Sequence, residues 1–489
     1  MALAAVDGVR VASAAAKGRG KAGSKAKAPT GTGFQAGAAT SNITPDLGVI
    51  MDGTIMQIGP AKHVHDELHA RCLALDDGST RVAFAICDVT MIARELVDRA
   101  RKLAAERTGI SQSHILISAT HTHSTPRLID LGLGKANQEY EDFFVRRVTD
   151  GIQRAIDNLG PARIGWGSVQ KPEHVFNRRW LLKPDKSLVN PFGEKADRAW
   201  MYPGADAALE PAGPVDPEVA FLAVQHADGR PLAVLANYAL HYAGGIPQGT
   251  VSADYFGVFS KHLEELLGSP QQDPPFVAMM SNGTCGDVAN VRVGNQGIPR
   301  PTLPAYGNMR AIGHDVAEAV ANAVKGVQYQ DASPLSAIES EISLGVRRPD
   351  AARLEWARMT CVTDKDLGKL TRPQIYAREA LLLEAMPSEV PVRLQAIRVG
   401  DVGIGAIPCE VFAETGLAIK KQTTARHTFV IELANGFHGY LPTPRQHALG
   451  GYETWPARSS HLEVAASDKI QEELLHLLGK VTGANATHR

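Results

Sequence analysis

From residue 80 onward, short apolar runs alternate with longer amphipathic segments, and this alternation limits the folds that the chain can adopt. Thr80–Asp88 is an apolar run of strand length, and Ile92–Arg107 has apolar and alanine positions at helical spacing. A second apolar run ends near Ile117, and a second amphipathic segment covers Gln138–Leu159. Because strands that alternate with helices are typical of layered proteins, we predict an α/β fold.

The same patterns continue through the rest of the chain. Further predicted strands are Ala220–His226, Leu232–Leu240, Pro275–Met280 and His427–Leu433. Further predicted helices are Met309–Val327, Val411–Lys421 and Ala466–Lys480. Val390–Ile407 reads as a hairpin that turns at Gly400 and Asp401. Residues 171–216 form a long, turn-rich passage with several aromatic side chains, which indicates a functional loop that walls a pocket.

Composition divides the chain into an arm, one large domain and a short tail. Residues 1–33 are rich in Ala, Gly, Ser and Lys, so we expect a disordered basic arm. Residues 34–480 have the mixture of apolar and polar residues that is typical of a globular protein, and we interpret them as a single domain. Residues 481–489 read as a frayed tail. Within the domain, about 350–387 is charged and mostly helical, with a break near Thr371–Pro373. This part is a candidate helical insertion or lid.

Charge and hydropathy exclude several classes of partner. The formal net charge is -1, so no global field favours nucleic acid or an anionic membrane. No apolar stretch of about 18 residues indicates an integral membrane segment. The five cysteines are scattered without CxxC spacing, and the N-terminus has no apolar signal region. We therefore expect a protein of the reducing cytoplasm.

Two histidines follow the strand that precedes them. His121 and His123 lie two residues apart, and on a strand their side chains would point the same way. Two converging imidazoles could begin a metal site or form an acid/base pair. The alternative is an ordinary structural role, in which backbone or carboxylate groups satisfy both rings.

Polar residues that can bind a metal recur at the ends of four predicted strands. They are His121, His241, Glu410 and Tyr440. Loops at the carboxyl ends of strands meet at one edge of an α/β sheet, so these side chains are candidate neighbours. Each also has a simpler interpretation: a core histidine for His241, a helix-dipole carboxylate for Glu410 and a packed aromatic for Tyr440.

Several motifs together resemble a known family. They are ATHTHS at 119–124, NYALHYAGG at 237–245, IPCE at 407–410 and ANGFHGYLPTP at 434–444, followed by Gly450-Gly451-Tyr452-Glu453. In this order they are similar to the catalytic domain of the neutral/alkaline, non-lysosomal ceramidases, which are zinc-dependent amidases that split the N-acyl bond of ceramide. The similarity extends from about Phe34 to about Leu478.

The resemblance implies a fold, a cofactor and a set of site residues. It implies that 34–480 is a catalytic domain with layered, mixed sheets and that Zn²⁺ is bound by His121, His241, Glu410 and Tyr440. Matched to the family's pattern, His123 is the acid/base residue, and Arg178 and Tyr452 hold the scissile carbonyl. Arg179 is a competing assignment for Arg178. The implied reaction is hydrolysis of a linear amide, in a small-molecule N-acyl substrate, by attack of a metal-bound hydroxide.

The sequence also departs from the family's pattern. Ala289 stands where the ceramidases carry an active-site serine, so we expect a substrate other than ceramide. Cys409 replaces a glycine, and we interpret it as a buried small hydrophobe rather than a ligand. We expect neither the β-sandwich domain nor the export signal that secreted ceramidases carry, which again favours the cytoplasm.

Two other functions fit the same residues. The site would also serve an ester or lactone hydrolase, and loss of the serine is consistent with a metal-retaining binding protein without turnover. For the acidic residues at strand ends and turns, Asp88, Asp254 and Asp287, capping and turn roles are favoured over contacts with the histidines. The histidines near the start of the domain, His63, His65 and His69, read as a surface cluster rather than a pocket wall.

Overall fold

The structure, a computed structural model, describes residues 33–51, 59–131, 136–292, 303–362 and 369–483. The predicted arm up to Thr32 and the predicted tail from Ala484 lie outside the described residues.

The helices and strands of the described residues include those that the sequence patterns predicted, together with further strands that the patterns did not indicate. The α-helices are α1 (Arg94–Thr108), α2 (Gln138–Asp157), α3 (Asp254–Leu267), α4 (Gly307–Val324), α5 (Ala351–Thr360), α6 (Arg372–Glu384), α7 (Ala413–Gln422), α8 (Pro444–Leu449) and α9 (Ala466–Thr482). The strands are β1 (Gln35–Asn42), β2 (His63–Val64), β3 (His69–Asp76), β4 (Arg81–Cys87), β5 (Ile115–Ala119), β6 (Gly160–Gln170), β7 (Phe176–Asn177), β8 (Arg179–Leu182), β9 (Ala199–Met201), β10 (Ala208–Pro211), β11 (Glu218–His226), β12 (Pro231–Tyr238), β13 (Thr250–Val251), β14 (Val277–Asn282), β15 (Val288–Ala289), β16 (Leu335–Gly345), β17 (Glu389–Val399), β18 (Val402–Ala406), β19 (Glu410–Val411), β20 (His427–Ile431) and β21 (Tyr440–Leu441). Short 3-10 helices cover Gln112–His114 and Tyr452–Thr454.

The main sheet has eight strands in the order β14-β12-β11-β6-β1-β3-β4-β5. Its two outer pairs, β12 with β14 and β4 with β5, are parallel, and the pairs between them are antiparallel. A second sheet of four strands, β16-β17-β18-β20, combines antiparallel pairs with a parallel pair, β18 with β20. The predicted α/β fold with mixed sheets is therefore confirmed.

Alternating burial along the strands builds a layered core. On β4, Phe84 and Ile86 pack toward the second sheet, whereas Ala83 and Ala85 pack toward α1 and α2. Helices α3 and α4 cover the same side of the main sheet further along, and α9 covers the outer side of the second sheet. The order of layers is helices, main sheet, second sheet and helix, which leaves the loops at the strand ends free to form a site.

Local sequence signals set several element boundaries. The predicted break near Thr371–Pro373 is the start of α6. Thr371 and Gln374 form a capping box there, and the proline between them lies in the first turn of the helix. The predicted hairpin turns at Gly400, whose φ of 60° is accessible to glycine at little cost. Among the helices of the described residues, none is both long and apolar enough to cross a bilayer.

Candidate active site

The two motif histidines lie just beyond the strand that leads to them. Strand β5 ends at Ala119, and His121 has a left-handed φ of 68°. The prediction that strand alternation orients the two rings is therefore wrong, because the chain turns before it reaches them. They are nevertheless together, with 3.2 Å between the Nε2 atoms of His121 and His123. The ring of His123 also stacks on Tyr242, with 3.9 Å between ring centroids.

Backbone carbonyls set the protonation of two imidazoles. His121 Nδ1 lies 2.7 Å from the carbonyl oxygen of Thr90, and His241 Nδ1 lies 3.3 Å from that of Cys285. A carbonyl only accepts, so Nδ1 carries a proton in each ring, which leaves Nε2 as the atom that can bind a metal. Burial, followed by the neighbouring His121, lowers the pKa of His123 and of His241 well below the usual value. Neutral imidazoles are the form that binds metals.

His241 is held by the loop that follows β12. The Asp254 carboxylate accepts hydrogen bonds from the backbone N–H groups of Ala243, at 2.9 Å, and Gly244, at 3.0 Å. The predicted turn role of Asp254 therefore also fixes the segment that carries His241. One nitrogen from each of His121, His123 and His241 lies within 4.8 Å of the others, which makes a candidate metal cluster.

Glu410 and Tyr440 come from two short strands that pair in parallel. Strands β19 and β21 place these residues directly opposite each other. Glycine at 286 permits the close approach of the neighbouring loop, because a Cβ there would lie 2.5 Å from the carbonyl oxygen of Glu410. The pairing brings together two residues that lie in separate motifs of the sequence.

The Glu410 carboxylate gives a direct test of whether a cation fits. Its Oε2 lies 3.3 Å from His121 Nε2 and is buried without a hydrogen-bond partner. A buried carboxylate oxygen this close to an imidazole nitrogen requires a positive charge beside it, either a proton on the ring or a bound cation. A set of imidazole nitrogens with a carboxylate is also the ligand chemistry that Zn²⁺ prefers. The residues present therefore fit a bound divalent cation.

Arg178, rather than Arg179, faces these residues. Arg178 Nη1 lies 3.3 Å from His241 Nε2, and its Nη2 donates to the carbonyl oxygen of Gly286 at 2.8 Å. The guanidinium of Arg179 instead donates to Gly450 and Gln446. Both arginines are paired with the buried carboxylate of Glu453.

Tyr440 and Tyr452 face each other across the site. Their ring centroids are 5.7 Å apart, and their side chains are hydrogen-bonded. Burial, followed by the nearby charge of Glu410, raises the pKa of Tyr440 well above 10 and also raises that of Tyr452. Both phenols are therefore protonated in the isolated chain.

All seven site residues predicted from the sequence line one cavity of about 140 Å³. They are His121, His123, Arg178, His241, Glu410, Tyr440 and Tyr452. The expectation that the passage 171–216 walls a pocket agrees with this, because Arg178, Met201 and Tyr202 lie in the cavity wall.

Sequence reasoning missed several residues of the site. Tyr202, Tyr242, Met91, Leu131 and Ser459 also line the cavity. Glu432 is buried beneath it and accepts hydrogen bonds from the backbone N–H groups of Val411, at 2.7 Å, and Cys285, at 3.2 Å. A charged residue at the end of an apolar strand was a usable signal for Glu432. No comparable signal marked the wall residues.

The remaining residues that the sequence singled out lie outside the cavity. Asp88 accepts from Arg71 at 2.5 Å, and Asp287 accepts from Asn177 at 2.7 Å. Cys409 is packed in a hydrophobic cluster, as interpreted from the sequence. Ala289 is buried and pairs with Phe176.

The histidines near the start of the domain differ from the surface cluster that the sequence favoured. His65 and His69 line a separate cavity of about 1110 Å³, and the ring of His65 stacks on Tyr306. His63 is exposed, in the short strand β2. A pocket wall is therefore the better description of His65 and His69, because both line this cavity together with residues of α3 and α4.

Solved structures of ceramidases share the fold of this chain. The chain superimposes on the neutral ceramidase of Pseudomonas aeruginosa with a TM-score of 0.68 and 17% identity, covering 93% of this chain and 75% of that protein. A ceramidase structure described as complexed with C2 gives a TM-score of 0.69 at 17% identity, covering 92% of this chain and 75% of that one. These likenesses concern the fold.

Sequence comparison identifies the family. Neutral ceramidase B of Dictyostelium discoideum is 23% identical over 274 residues, which are 52% of this chain and 35% of that protein. The match thus spans about a third of that relative. The family model described as "Neutral/alkaline non-lysosomal ceramidase, N-terminal" matches residues 34–297, more than half of the chain. On this match, the chain belongs to the neutral/alkaline, non-lysosomal ceramidase family.

Proposed function

We propose that the chain is a zinc-dependent amidohydrolase that cleaves the N-acyl bond of a linear amide other than ceramide. The observation that carries the proposal is the convergence of three imidazoles and the partnerless carboxylate oxygen of Glu410 on one small cavity. Metal-binding side chains buried together in a cleft are costly to the fold, so their presence favours a functional centre.

The residues that would hold the ion are His121, His241, Glu410 and Tyr440. The Nε2 atoms of the two imidazoles are contacted by His123 and Arg178 in the isolated chain. They and the free carboxylate oxygen could bind an ion without breaking a hydrogen bond to the backbone. Tyr440 would bind as the phenol, or as the phenolate where the ion's charge offsets the raised pKa. A bound Zn²⁺ supplies Lewis acidity and makes water a nucleophile near neutral pH.

Arg178 and Tyr452 would bind the carbonyl oxygen of the substrate. Both line the cavity, and both carry hydrogen-bond donors that are already oriented, Arg178 by Glu453 and Tyr452 by Tyr440. Donors fixed in place stabilise negative charge that grows on the oxygen as the carbonyl carbon becomes tetrahedral. The guanidinium also remains protonated at any pH at which the protein is folded.

His123 would transfer the proton that the leaving nitrogen requires. An amide nitrogen leaves as an amine only after protonation, so a general acid is needed beside the scissile bond. Apart from its contact with His121, the ring of His123 makes no side-chain hydrogen bond among the described residues, and its Nδ1 is partnerless. Stacking on Tyr242 orients it instead.

Two features support a substrate other than ceramide. Ala289 removes the hydroxyl that the family's pattern places at this position. The cavity, at about 140 Å³, encloses only a short part of a long-chain lipid amide. Both favour a smaller or more polar N-acyl compound.

The test separates metal binding from turnover. The purified, zinc-loaded protein is assayed on ceramide, on a short-chain N-acyl amide and on the matching ester, and zinc content is measured by elemental analysis. We expect His123→Ala to lower amide hydrolysis by about 10²–10⁴-fold while the zinc content is unchanged. His241→Ala should lose the zinc, and His427→Ala, an exposed histidine of β20, is the matched control.

Two results would contradict the proposal. If the parent binds zinc but hydrolyses no amide, the chain is a metal-retaining binding protein. If the ester alone is hydrolysed, the enzyme is an esterase with the same site.

A further inference from the structure

A second cavity, of about 620 Å³, adjoins the candidate active site. Leu131 lines both cavities. Two other chain segments also contribute to both: Met91 and Ser459 face the smaller cavity, and their near neighbours Ala93 and Arg458 face the larger. The two compartments therefore meet at Leu131, and an extended molecule that passes this residue would contact both.

The positive groups of this second cavity are already neutralised. Arg94 is paired with Glu341 and, at 3.5 Å, with Asp98. Arg458 is paired with Glu379 at 2.8 Å. Neither guanidinium therefore gives the cavity a net positive charge.

The carboxylates of the same cavity are not neutralised in this way. Glu95, Asp130 and Glu141 line it, and among the described residues no lysine or arginine forms an ion pair with any of them. Arg99, the arginine near Glu141, is itself paired with Asp142 at 2.5 Å. Burial, and then repulsion from Asp130, raises the pKa of Glu141. Glu95 and Asp130 are exposed and Glu141 is partly buried, so solvent weakens the repulsion among the three carboxylates without removing it, and a bound cation would relieve what remains.

His461 provides an independent sign that a hydrogen-bond donor belongs in this cavity. Its side chain is in the cavity wall and the residue is only 5% exposed. Nδ1 donates to the carbonyl oxygen of Arg458 at 2.8 Å, so Nε2 presents a lone pair. That Nε2 is buried without a hydrogen-bond partner. Buried acceptors are rarely left unpaired in native proteins, and an N–H donor of a ligand would satisfy this one.

We propose that the second cavity binds the amine half of the substrate and that this half carries a second, positively charged amino group. This inference rests on the proposed function. Hydrolysis places the hydroxyl of water on the acyl carbon and its proton on the nitrogen, so the product that occupies the cavity is a diamine. The substrate class is accordingly the mono-N-acylated diamines.

The first arm of the test measures binding of the product half alone. Calorimetry on the zinc-loaded protein compares 1,4-diaminobutane with butylamine, which has the same length and one amino group fewer. We expect the diamine to bind about tenfold more tightly. The double variant Glu95→Gln/Glu141→Gln should abolish this preference, whereas Glu472→Gln, an exposed carboxylate of α9, should preserve it. Equal affinity for both amines in the parent would overturn the inference.

The second arm measures turnover on a charge series. The substrates are the N-octanoyl amides of 1,4-diaminobutane, 4-aminobutan-1-ol and 4-aminobutanoate, which carry a positive, a neutral and a negative terminus. We expect kcat/KM to fall in that order, and the first and last to become similar in the double variant. Hydrolysis without a charge preference overturns the inference and leaves the amidase proposal standing. Selective diamine binding without hydrolysis leaves the cavity's role standing and removes the amidase.

Discussion

At the scale of single residues, Glu453 is the buried carboxylate that pairs with two buried arginines beside the site. Its Oε1 accepts from Arg178 Nε at 2.8 Å and its Oε2 from Arg179 Nη1 at 2.7 Å, and the residue is fully buried. Burial alone would raise the pKa of Glu453, but the two guanidinium groups hold it below the ordinary value. One carboxylate thus neutralises two buried cations.

Removing that charge should destabilise the fold. In Glu453→Gln two guanidinium groups stay buried with no carboxylate between them, so we expect the free energy of unfolding to fall by about 3–5 kcal/mol. Urea denaturation followed by circular dichroism measures the change. Asp150→Asn is the matched control, because Asp150 pairs with the exposed Arg107 and its loss should have little effect. A loss no larger than the control's would show that the buried pair contributes little.

The arginine pair also shows where sequence reasoning stops. Polar residues at the ends of apolar strands pointed to the segments of His121, His241, Glu410 and Tyr440, and only the family resemblance pointed to those of Arg178 and Tyr452. They could not decide between Arg178 and Arg179, because alternation along an extended chain says only that the two side chains diverge. The choice depends on partners that are distant in sequence: His241 and Gly286 for Arg178, and Gln446 and Gly450 for Arg179.

At the scale of elements, helix α7 fixes the loop that supports His241. A Cβ added at Gly416, inside α7, would lie 1.9 Å from the Thr284 hydroxyl oxygen. Thr284 directly precedes Cys285, whose carbonyl oxygen accepts from His241. The helix and the loop can therefore pack this closely only because residue 416 has no side chain.

Gly416→Ala should therefore lower stability although alanine favours helices. The clash costs about 1–3 kcal/mol and the better helix propensity returns at most about 1 kcal/mol, so a net loss is expected in urea denaturation. Gly326→Ala is the control, since its added Cβ would come no nearer than 3.6 Å to another atom, and stability should be equal or slightly higher. Equal stability of both variants would mean that the loop around Thr284 moves to accommodate the added methyl group at no cost in stability.

Long elements were predictable from the sequence and short ones were not. Helices α2 and α9 were found within two residues of their ends, because many residues share one period. Strands β19 and β21 have two residues each, too few to show a period, and each exists because the other lies beside it. The turn after β5 was missed for a similar reason. The left-handed conformation of His121 is stabilised by a hydrogen bond from its backbone N–H to the carbonyl oxygen of Val89, a residue distant in sequence.

At the scale of the whole molecule, the candidate metal centre joins the loops of both sheets. His121 and His241 come after β5 and β12 of the main sheet, whereas Glu410 and Tyr440 come after β18 and β20 of the second sheet. A backbone bridge between Ser118 and Ala434 also ties the two parts together beside the site. An ion bound to all four side chains would therefore stabilise the complete fold.

Removal of the metal should lower the denaturation temperature of the whole chain. At a free zinc concentration one hundred times its Kd, binding to the folded state adds about 2.7 kcal/mol to the free energy of unfolding. The denaturation temperature measured in zinc should therefore be higher than the one measured in a chelator. His241→Ala should show no such difference, and His427→Ala should retain it. An equal difference in the His241 variant would place the stabilising ion elsewhere.

The pairing of Glu410 with Tyr440, and the position of Tyr452 beyond both, has a consequence for synthesis of the protein. A nascent chain exposes the His121 motif long before it contains the carboxylate and the phenols. At that stage it presents only part of the ligand set. Capture of the ion in its final coordination, and with it the onset of any hydrolysis, must wait until the segment up to Tyr452 has been synthesised.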